Sequence, residues 1–313
     1  MNSKDYDKHI LTLGPLEKGG ISVQVSRTDG QIVGISKDRV QFMHGGGLLD
    51  LLKTEEDKKG WQNSEIVMFP VVGPVKDYQV QIGKDTHPMD QHGISRILGF
   101  GNINVQPNMA FLTQIHDGKT LLPNPKHEKD KTRPESLDWP FRYKLNKIIY
   151  PESEEILKVR FYLKGPNKKN MPYMLGWHPA FKMHGPASEG VFYNLTNQSP
   201  VHRVTLEEVI EASNSKEGAL KLEGMRDIRY MNRQAGRGIS IYTTGFDHLM
   251  LWCPGKESGM FCIEPVTHIP SLEKQTKPHF TDKDTHNVLK RKEAEEYSVK
   301  IMPYTFKPYK RIF

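Results

Sequence analysis

The chain has 313 residues, of which 44 are basic and 37 are acidic, so its formal net charge is +7 at pH 7. Acidic and basic side chains are interleaved, which excludes the one-signed stripe typical of a nucleic-acid partner. Apolar runs stay far below the ~20 residues that a membrane span needs, and the first residues show no secretory signal. Two cysteines without a C-x-x-C pattern exclude a disulfide framework. We therefore expect a cytoplasmic protein with no membrane or nucleic-acid partner.

The first part of the chain predicts short strands separated by turns. Residues 21–43 alternate apolar and polar side chains with period two around the turn signal Asp29-Gly30, which predicts a β-meander. Residues 66–74 predict a buried strand that proline and glycine interrupt. Residues 80–82 are apolar enough to be its hairpin partner.

Two histidines, an aspartate and an arginine fall within the ten residues from His87 to Arg96. Metal binding is one interpretation of such a cluster. However, neither the His87/His92 spacing nor the His178/His184 spacing matches a zinc signature such as H-E-x-x-H. We therefore expect no metal site.

The longest loop is predicted over residues 116–140, which are polar and rich in proline. Within it, basic and acidic side chains alternate from Lys126 to Arg133. A mixed run of this kind is typical of a solvated surface loop rather than of a nucleic-acid stripe.

The second half of the chain again predicts short strands, with one clear helix. Residues 205–211 predict that helix because Thr205 and Glu208 form a capping-box pattern. Residues 248–253 are apolar on both faces, as is typical of a central strand. Further strands are predicted over residues 142–145, 156–163, 239–242, 259–266 and 297–301. The strand count, the turn spacing and the scarcity of helix predict an all-β fold, a large antiparallel β-sandwich.

Two titratable side chains, His178 and Glu264, each directly precede a proline. The residue before a proline is restricted to extended backbone, so both are expected on strands or at strand ends. On its strand, Glu264 shares a face with Cys262, whereas Phe261 and Ile263 point the other way into a core. An imidazole and a carboxylate on such stiff positions form a candidate acid/base pair, with a buried structural histidine as the alternative. There is no G-x-S-x-G nucleophile motif beside them.

Four stretches, in this order, resemble the aldose 1-epimerases (mutarotases) and their relatives. They are Met68-Phe69-Pro70-x-x-Gly73, His92-Gly93-x-x-Arg96, Gly176-Trp177-His178-Pro179-x-Phe181 and Cys262-Ile263-Glu264-Pro265. The resemblance spans most of the chain and is closest to a branch that includes proteins similar to hexose-6-phosphate mutarotases. It implies a galactose mutarotase-like β-supersandwich of antiparallel sheets, formed as a single domain over residues 1–313, and chemistry without a cofactor.

The resemblance also implies roles for individual residues. His178 matches the histidine that protonates the ring oxygen of a sugar, and Glu264 matches the base that takes the proton from the anomeric hydroxyl. The ring opens, the aldehyde carbon rotates, and reclosure gives the other anomer. We expect the two groups to line one pocket on opposite sides of a sugar-sized space. Substrate-binding roles are implied for His92, Arg96, Trp177 and Phe181.

Departures from the family pattern leave the substrate open. Galactose-specific members have Asn-Arg after the Phe-Pro strand, where this chain has Gly73-Pro74. Their hydroxyl-binding Asp-His pair is matched in composition by Asp247-His248, 17 residues before Glu264, which makes Asp247 a further candidate. For Trp177 and Phe181, packing in the core is the alternative to forming a sugar platform.

Three functions therefore stay open. The first is anomer exchange on a neutral aldose. The second is the same reaction on a phosphorylated or acidic sugar, which Arg96 and the net charge of +7 favour. The third is a non-catalytic carbohydrate-binding or regulatory protein on the same fold. The expected partner is a small-molecule sugar or sugar phosphate, and the chain is expected to be a monomer or homodimer.

Overall fold

The computed structural model describes residues 8–15, 19–45, 61–166, 169–196, 203–270 and 286–308. The first half contributes β1 (Ile10–Leu13), β2 (Ile21–Ser26), β3 (Ile32–Lys37), β4 (Val40–Gln41), β5 (Glu65–Met68), β6 (Gln79–Ile82), β7 (Asp85–Pro88), β8 (Asn102–Gln106), β9 (Met109–Asp117), β10 (Leu122–Pro123), β11 (Ser136–Leu137) and β12 (Arg142–Pro151). The second half contributes β13 (Leu157–Lys164), β14 (Met171–Tyr173), β15 (Gly176–Lys182), β16 (Gly190–Asn194), β17 (Arg203–Thr205), β18 (Leu220–Leu222), β19 (Ile228–Asn232), β20 (Arg237–Thr244), β21 (His248–Trp252), β22 (Met260–Val266), β23 (Asn287–Leu289) and β24 (Ala294–Thr305). Two short α-helices lie in full within these ranges, α1 (Ser95–Leu98) and α2 (Leu206–Ser213).

Three sheets contain most of these strands, and the paired strands run antiparallel. The largest has nine strands in the order β17-β16-β19-β20-β24-β13-β12-β9-β8. A second has five, in the order β18-β21-β22-β15-β5, and a third has the order β1-β2-β3-β4. The prediction of an all-β chain of antiparallel sheets with very little helix is confirmed.

The two larger sheets pack against each other through aromatic side chains. Along β9, buried and less buried positions alternate, so one face of the nine-stranded sheet is covered and the other meets solvent. β15 and β22 are buried over almost their whole length, so the five-stranded sheet is covered on both faces there. Across the interface, the ring centroids of Tyr230 and Phe261 are 4.2 Å apart, and those of Phe161 and Trp177 are 6.1 Å apart. This core positions β15 and β22, the strands that carry His178 and Glu264.

A buried ion pair crosses the core between the sheets. Lys147 Nζ on β12 lies 2.6 Å from Glu65 Oε1 on β5, and both side chains are almost fully buried. The backbone N–H of Ile32 and the indole N–H of Trp177 also donate to the Glu65 carboxylate. These bonds satisfy the buried carboxylate and connect β3, β5, β12 and β15.

The elements confirm two local predictions and contradict a third. The β-meander over residues 21–43 is confirmed by β2, β3 and β4. The predicted helix is confirmed as α2: Thr205 Oγ1 accepts from the Glu208 N–H at 3.2 Å, and Glu208 accepts in return from the Thr205 N–H. The hairpin partner for residues 66–74 was wrong, because β6 pairs with β7 whereas β5 pairs with β15.

Across the ranges the structure describes, no helix has the length and apolarity needed to cross a membrane. A single domain over residues 1–313 stays a prediction.

Candidate active site

One row of side chains crosses the five-stranded sheet and lines a pocket of about 430 Å³, a volume typical of small-molecule sites. From β18 to β5 the row consists of Lys221, Met250, Glu264, His178 and Ile66. The register between β15 and β22 places His178 directly opposite Glu264. Because side chains on a strand alternate between faces, neighbouring strands in this register bring both groups to the same pocket.

His178 and Glu264 touch each other in the pocket wall. His178 Nε2 lies 3.3 Å from Glu264 Oε1, and only 8% and 2% of the two side chains are exposed. The sequence had led us to expect the two groups on opposite sides of a sugar-sized space. In the structure they stand side by side. Adjacent groups of this kind are able to serve two oxygens bonded to one carbon atom, because each proton moves only over a hydrogen-bond distance.

Two tryptophans enclose the imidazole of His178. The Trp61 ring lies 4.6 Å from it, centroid to centroid, and the Trp252 ring 5.8 Å, edge-on. Both indoles line the pocket. They exclude water from the imidazole and also offer flat apolar surfaces to a ligand.

Beyond the pair, Ala180 and Cys262 continue this sheet face as an apolar patch. Cys262 packs in a small cluster with Ala180 and Met260 beneath the two tryptophans, whereas Phe261 and Ile263 belong to the main core. The prediction that Glu264 and Cys262 share one face of the strand, opposite the core-facing residues, is therefore confirmed.

Burial sets the protonation of the pair. It lowers the pKa of His178 to about 3, and it raises the pKa of Glu264 well above its ordinary value. Low polarity disfavours both the imidazolium and the carboxylate, so each group is driven toward its neutral form. Both shifts favour the arrangement in which the imidazole is neutral and the carboxyl group carries a proton.

His92 stands beside this pair with its tautomer fixed. Its ring lies 5.7 Å from that of His178, edge-on, and it lines the same pocket. Its Nδ1 accepts a hydrogen bond of 3.2 Å from the backbone N–H of Gly73. Burial, followed by the nearby His178 and Arg96, lowers the pKa of His92 well below 6.5. A neutral imidazole that accepts at Nδ1 carries its hydrogen on Nε2, so His92 is a hydrogen-bond donor.

Arg96 and Lys126 add positive charge to the pocket lining. Burial lowers the pKa of the Arg96 guanidinium, and burial together with the charge of Arg96 lowers the pKa of Lys126 to about 8. The prediction that residues 126–133 form a merely solvated loop was wrong in this respect, since Lys126 turns inward to the pocket. Its Nζ donates to Gln91 Oε1 at 2.9 Å.

Three of the residues predicted for the site do not line this pocket. Trp177 and Phe181 are fully buried in the main core, where the Trp177 indole bonds Glu65. For these two, the structure therefore places the side chains in core packing rather than on a sugar platform. Asp247 is half-exposed and forms a 2.6 Å ion pair with Arg226. The structure brings together His178, Glu264, His92 and Arg96 and leaves these three apart.

Sequence reasoning missed other parts of the lining, above all Trp61, Trp252 and Lys126. Trp252 had a signal: it lies two residues after Met250 on a predicted strand and so shares its face. Neither Trp61 nor Lys126 belongs to a stretch of sequence with a periodic pattern, so no pattern assigned their side chains to the pocket. The segment from Lys216 to Ala219 also lines the pocket mouth.

Among the described residues, no group of three or more His, Cys, Asp or Glu side chains is arranged to hold a metal ion. The chemistry available in the pocket is that of a buried imidazole–carboxylate pair, a histidine donor, two indole faces and several cationic side chains.

Comparisons with known proteins identify the fold. No protein-family model matches the chain. Protein LacX of Lactococcus lactis subsp. lactis is 22% identical over 284 residues, which cover 77% of this chain and 90% of that protein. A galactose mutarotase-like protein from Lactobacillus casei superposes with a TM-score of 0.73 at 18% identity, over 94% of this chain and 100% of that one. A galactose mutarotase related enzyme from Lactobacillus acidophilus also has a TM-score of 0.73, at 16% identity over 95% and 97% of the two chains.

These likenesses show that the chain has the galactose mutarotase-like fold, and the predicted fold is confirmed. At identities this low, they carry no statement about substrate or reaction.

Proposed function

We propose that the chain interconverts the α and β anomers of an aldose, using His178 and Glu264 as a paired acid and base and no cofactor. The observation that carries the proposal is the 3.3 Å contact of the two groups in the wall of a sugar-sized pocket. The galactose mutarotase-like fold supports the proposal by analogy.

A pair that holds one proton between its two groups can move two protons in opposite directions. With the proton on His178, the carboxylate of Glu264 removes the hydrogen of the anomeric hydroxyl while the imidazolium protonates the ring oxygen. The bond from the anomeric carbon to the ring oxygen breaks, and an aldehyde forms. Rotation about the adjacent carbon–carbon bond and reversal of both transfers close the ring on the other face. Each cycle returns the pair to its starting protonation, so no external acid or base is consumed.

Burial favours the ring-opened stage of this cycle. After ring opening, Glu264 is protonated and His178 is neutral, which is the arrangement that the low-polarity pocket stabilises. The charged arrangement that starts the cycle differs from it only by a proton shift within the pair. The His92 Nε2–H is available to hydrogen-bond a sugar oxygen, and Trp61 and Trp252 offer apolar surfaces to the sugar ring.

A finer form of the proposal is a phosphorylated or acidic sugar. Arg96 lies in the pocket lining, half-buried, and no hydrogen-bond or ion-pair partner for its guanidinium lies within the described ranges. The non-catalytic alternative, a carbohydrate-binding or regulatory protein, predicts saturable sugar binding without acceleration of exchange.

Polarimetry of freshly dissolved α-anomers tests the catalytic proposal. We expect His178→Ala and Glu264→Gln each to remove most of the acceleration, and the double variant to be no slower than either, because residues that act as a unit are not additive. His116→Ala is the matched control, because His116 is equally buried but lies outside the pocket lining. If the acceleration in the double variant falls by the product of the two single-variant factors, the two residues act independently and the coupled pair is contradicted.

A further inference from the structure

Within the described ranges, Arg96 and Lys126 make no ion pair, although the Asp90 carboxylate lies near enough to act on the charge of both. Lys126 Nζ bonds the neutral amide of Gln91, which accepts a hydrogen bond without compensating the charge. Of the acids in the lining, Glu217 pairs with Lys221 and Glu264 is driven to its neutral form. Asp90 is also bonded to Arg133, so one carboxylate faces three cations, and the surplus positive charge beside the pocket favours an anionic ligand.

The loop that carries Lys126 is fastened to the pocket by one buried carboxylate. Asp90 Oδ1 accepts from Arg133 Nη1 at 2.7 Å and from the Gln91 N–H at 2.6 Å, and Asp90 Oδ2 accepts from Asn124 Nδ2 at 2.9 Å. Only 2% of Asp90 is exposed. Burial alone would raise its pKa, but these hydrogen bonds outweigh that effect and keep the pKa below its ordinary value.

This clamp fixes both ends of the segment that contains Lys126. Asn124 precedes Lys126 and Arg133 follows it, and each bonds the same carboxylate. The Lys126 N–H also donates to Asn124 Oδ1 at 3.1 Å. Two of the three hydrogen bonds to Asp90 come from this loop, so the carboxylate holds the loop, and with it Lys126, against the pocket.

We propose that residues 124–133 form an anion-selectivity loop, in which Lys126 joins Arg96 to bind a phosphate or carboxylate group carried by the sugar. Asp90 and Arg133 are positioning residues for Lys126. The inference rests on the proposed function, since it assumes that the sugar's anomeric carbon lies at His178 and Glu264. It names the substrate class as a negatively charged aldose.

Binding of four probes to the full chain tests this inference: glucose, glucose 6-phosphate, glucuronate and inorganic phosphate, by calorimetry at low ionic strength. Lys126→Gln should weaken the binding of glucose 6-phosphate at least about tenfold more than the binding of glucose, because it removes a charge-assisted hydrogen bond. Lys126→Arg should restore the preference. Lys84→Gln, an exposed lysine outside this loop and outside the pocket lining, is the charge-matched control and should leave both affinities unchanged. Comparison of glucose 6-phosphate with glucuronate separates a phosphate from a carboxylate.

The positioning role has its own test. Arg133→Gln should raise KM for the anionic sugar while leaving its kcat within error, because it displaces Lys126 without touching His178 or Glu264. Asn124→Ala is the second variant and should act in the same direction, because it removes the bonds to Asp90 and to the Lys126 N–H without changing the charge. Equal weakening of glucose and glucose 6-phosphate by Lys126→Gln, or no preference for any anion in the wild type, would overturn the inference. Lys126-dependent phosphate binding without any anomer exchange would refute the proposed reaction while leaving the anion subsite in place.

Discussion

Replacing His178 with glutamine should separate the chemical and the energetic contributions of its imidazole. Glutamine keeps a donor nitrogen near the position of Nε2, beside Glu264, but cannot titrate. Because a positioned proton-transfer group contributes ~10²–10⁴ in rate, the acceleration of anomer exchange should fall by that factor. The fold should survive, since the glutamine refills most of the space and retains the polar contact.

The same substitution should make the fold more resistant to acid. The pKa of His178 is about 3 in the folded protein, against an ordinary value of 6.5, because burial disfavours the imidazolium. As the pH falls below 6.5, the unfolded chain binds a proton that the folded chain rejects, and stability is lost. At ~1.36 kcal/mol per pKa unit, the wild type loses about 2.5 kcal/mol of unfolding free energy between pH 7 and pH 4.5 from this group. Glutamine contributes no such loss.

Urea unfolding of both proteins at the two pH values measures this difference. Only 8% of the His178 side chain is exposed, so solvent screening does not reduce the expected effect appreciably. The wild type should lose about 2.5 kcal/mol more than His178→Gln on acidification. Equal losses in the two proteins would refute the claim that the imidazole is held neutral by burial.

Three further substitutions test other parts of the account. Glu264→Gln should slow exchange by ~10²–10⁴. It should also stabilise the fold increasingly as the pH rises above 4.5, because burial raises the pKa of this carboxyl and the unfolded wild-type chain then releases a proton that the folded chain keeps. Parallel pH–stability curves for the two proteins would contradict this. Trp61→Ala should move the pKa of His178 up toward 6.5, since the indole that excludes water is removed; an NMR titration of the imidazole that shows no shift would count against it. Lys147→Met should lower the free energy of unfolding in denaturant by about 3–5 kcal/mol, because Glu65 then keeps a buried charge without its cation. Adding Glu65→Gln should recover part of that loss. A single variant as stable as the wild type would be inconsistent with this reasoning.

Strand patterns made part of the site predictable. Period-two alternation around Glu264 identified the face that carries the carboxylate, and the following proline marked both Glu264 and His178 as extended. What these patterns do not contain is the register between β15 and β22. That register sets the two groups side by side at 3.3 Å, where separate positions across a cavity had been expected. Register depends on long-range pairing, which a single strand does not encode.

The pocket residues outside the strands were less predictable than those on β15 and β22. Lys126 belongs to a run whose alternating charges are typical of a solvated loop, and its inward turn depends on Asp90, 36 residues earlier in the chain. Trp177 and Phe181 stood in the most recognisable motif, yet both are core residues. Some residues of a motif serve core packing. An aromatic residue that is next to a functional histidine in the sequence is therefore not necessarily part of the site.

Anomer exchange measured by NMR saturation transfer tests the central claim most directly. Glucose, galactose and their 6-phosphates are presented to the wild type, to His178→Ala and to Glu264→Gln. The account predicts that the wild type accelerates exchange of at least one of these sugars and that either substitution removes most of the acceleration. Saturable binding without acceleration, or acceleration that persists in both variants, would contradict it.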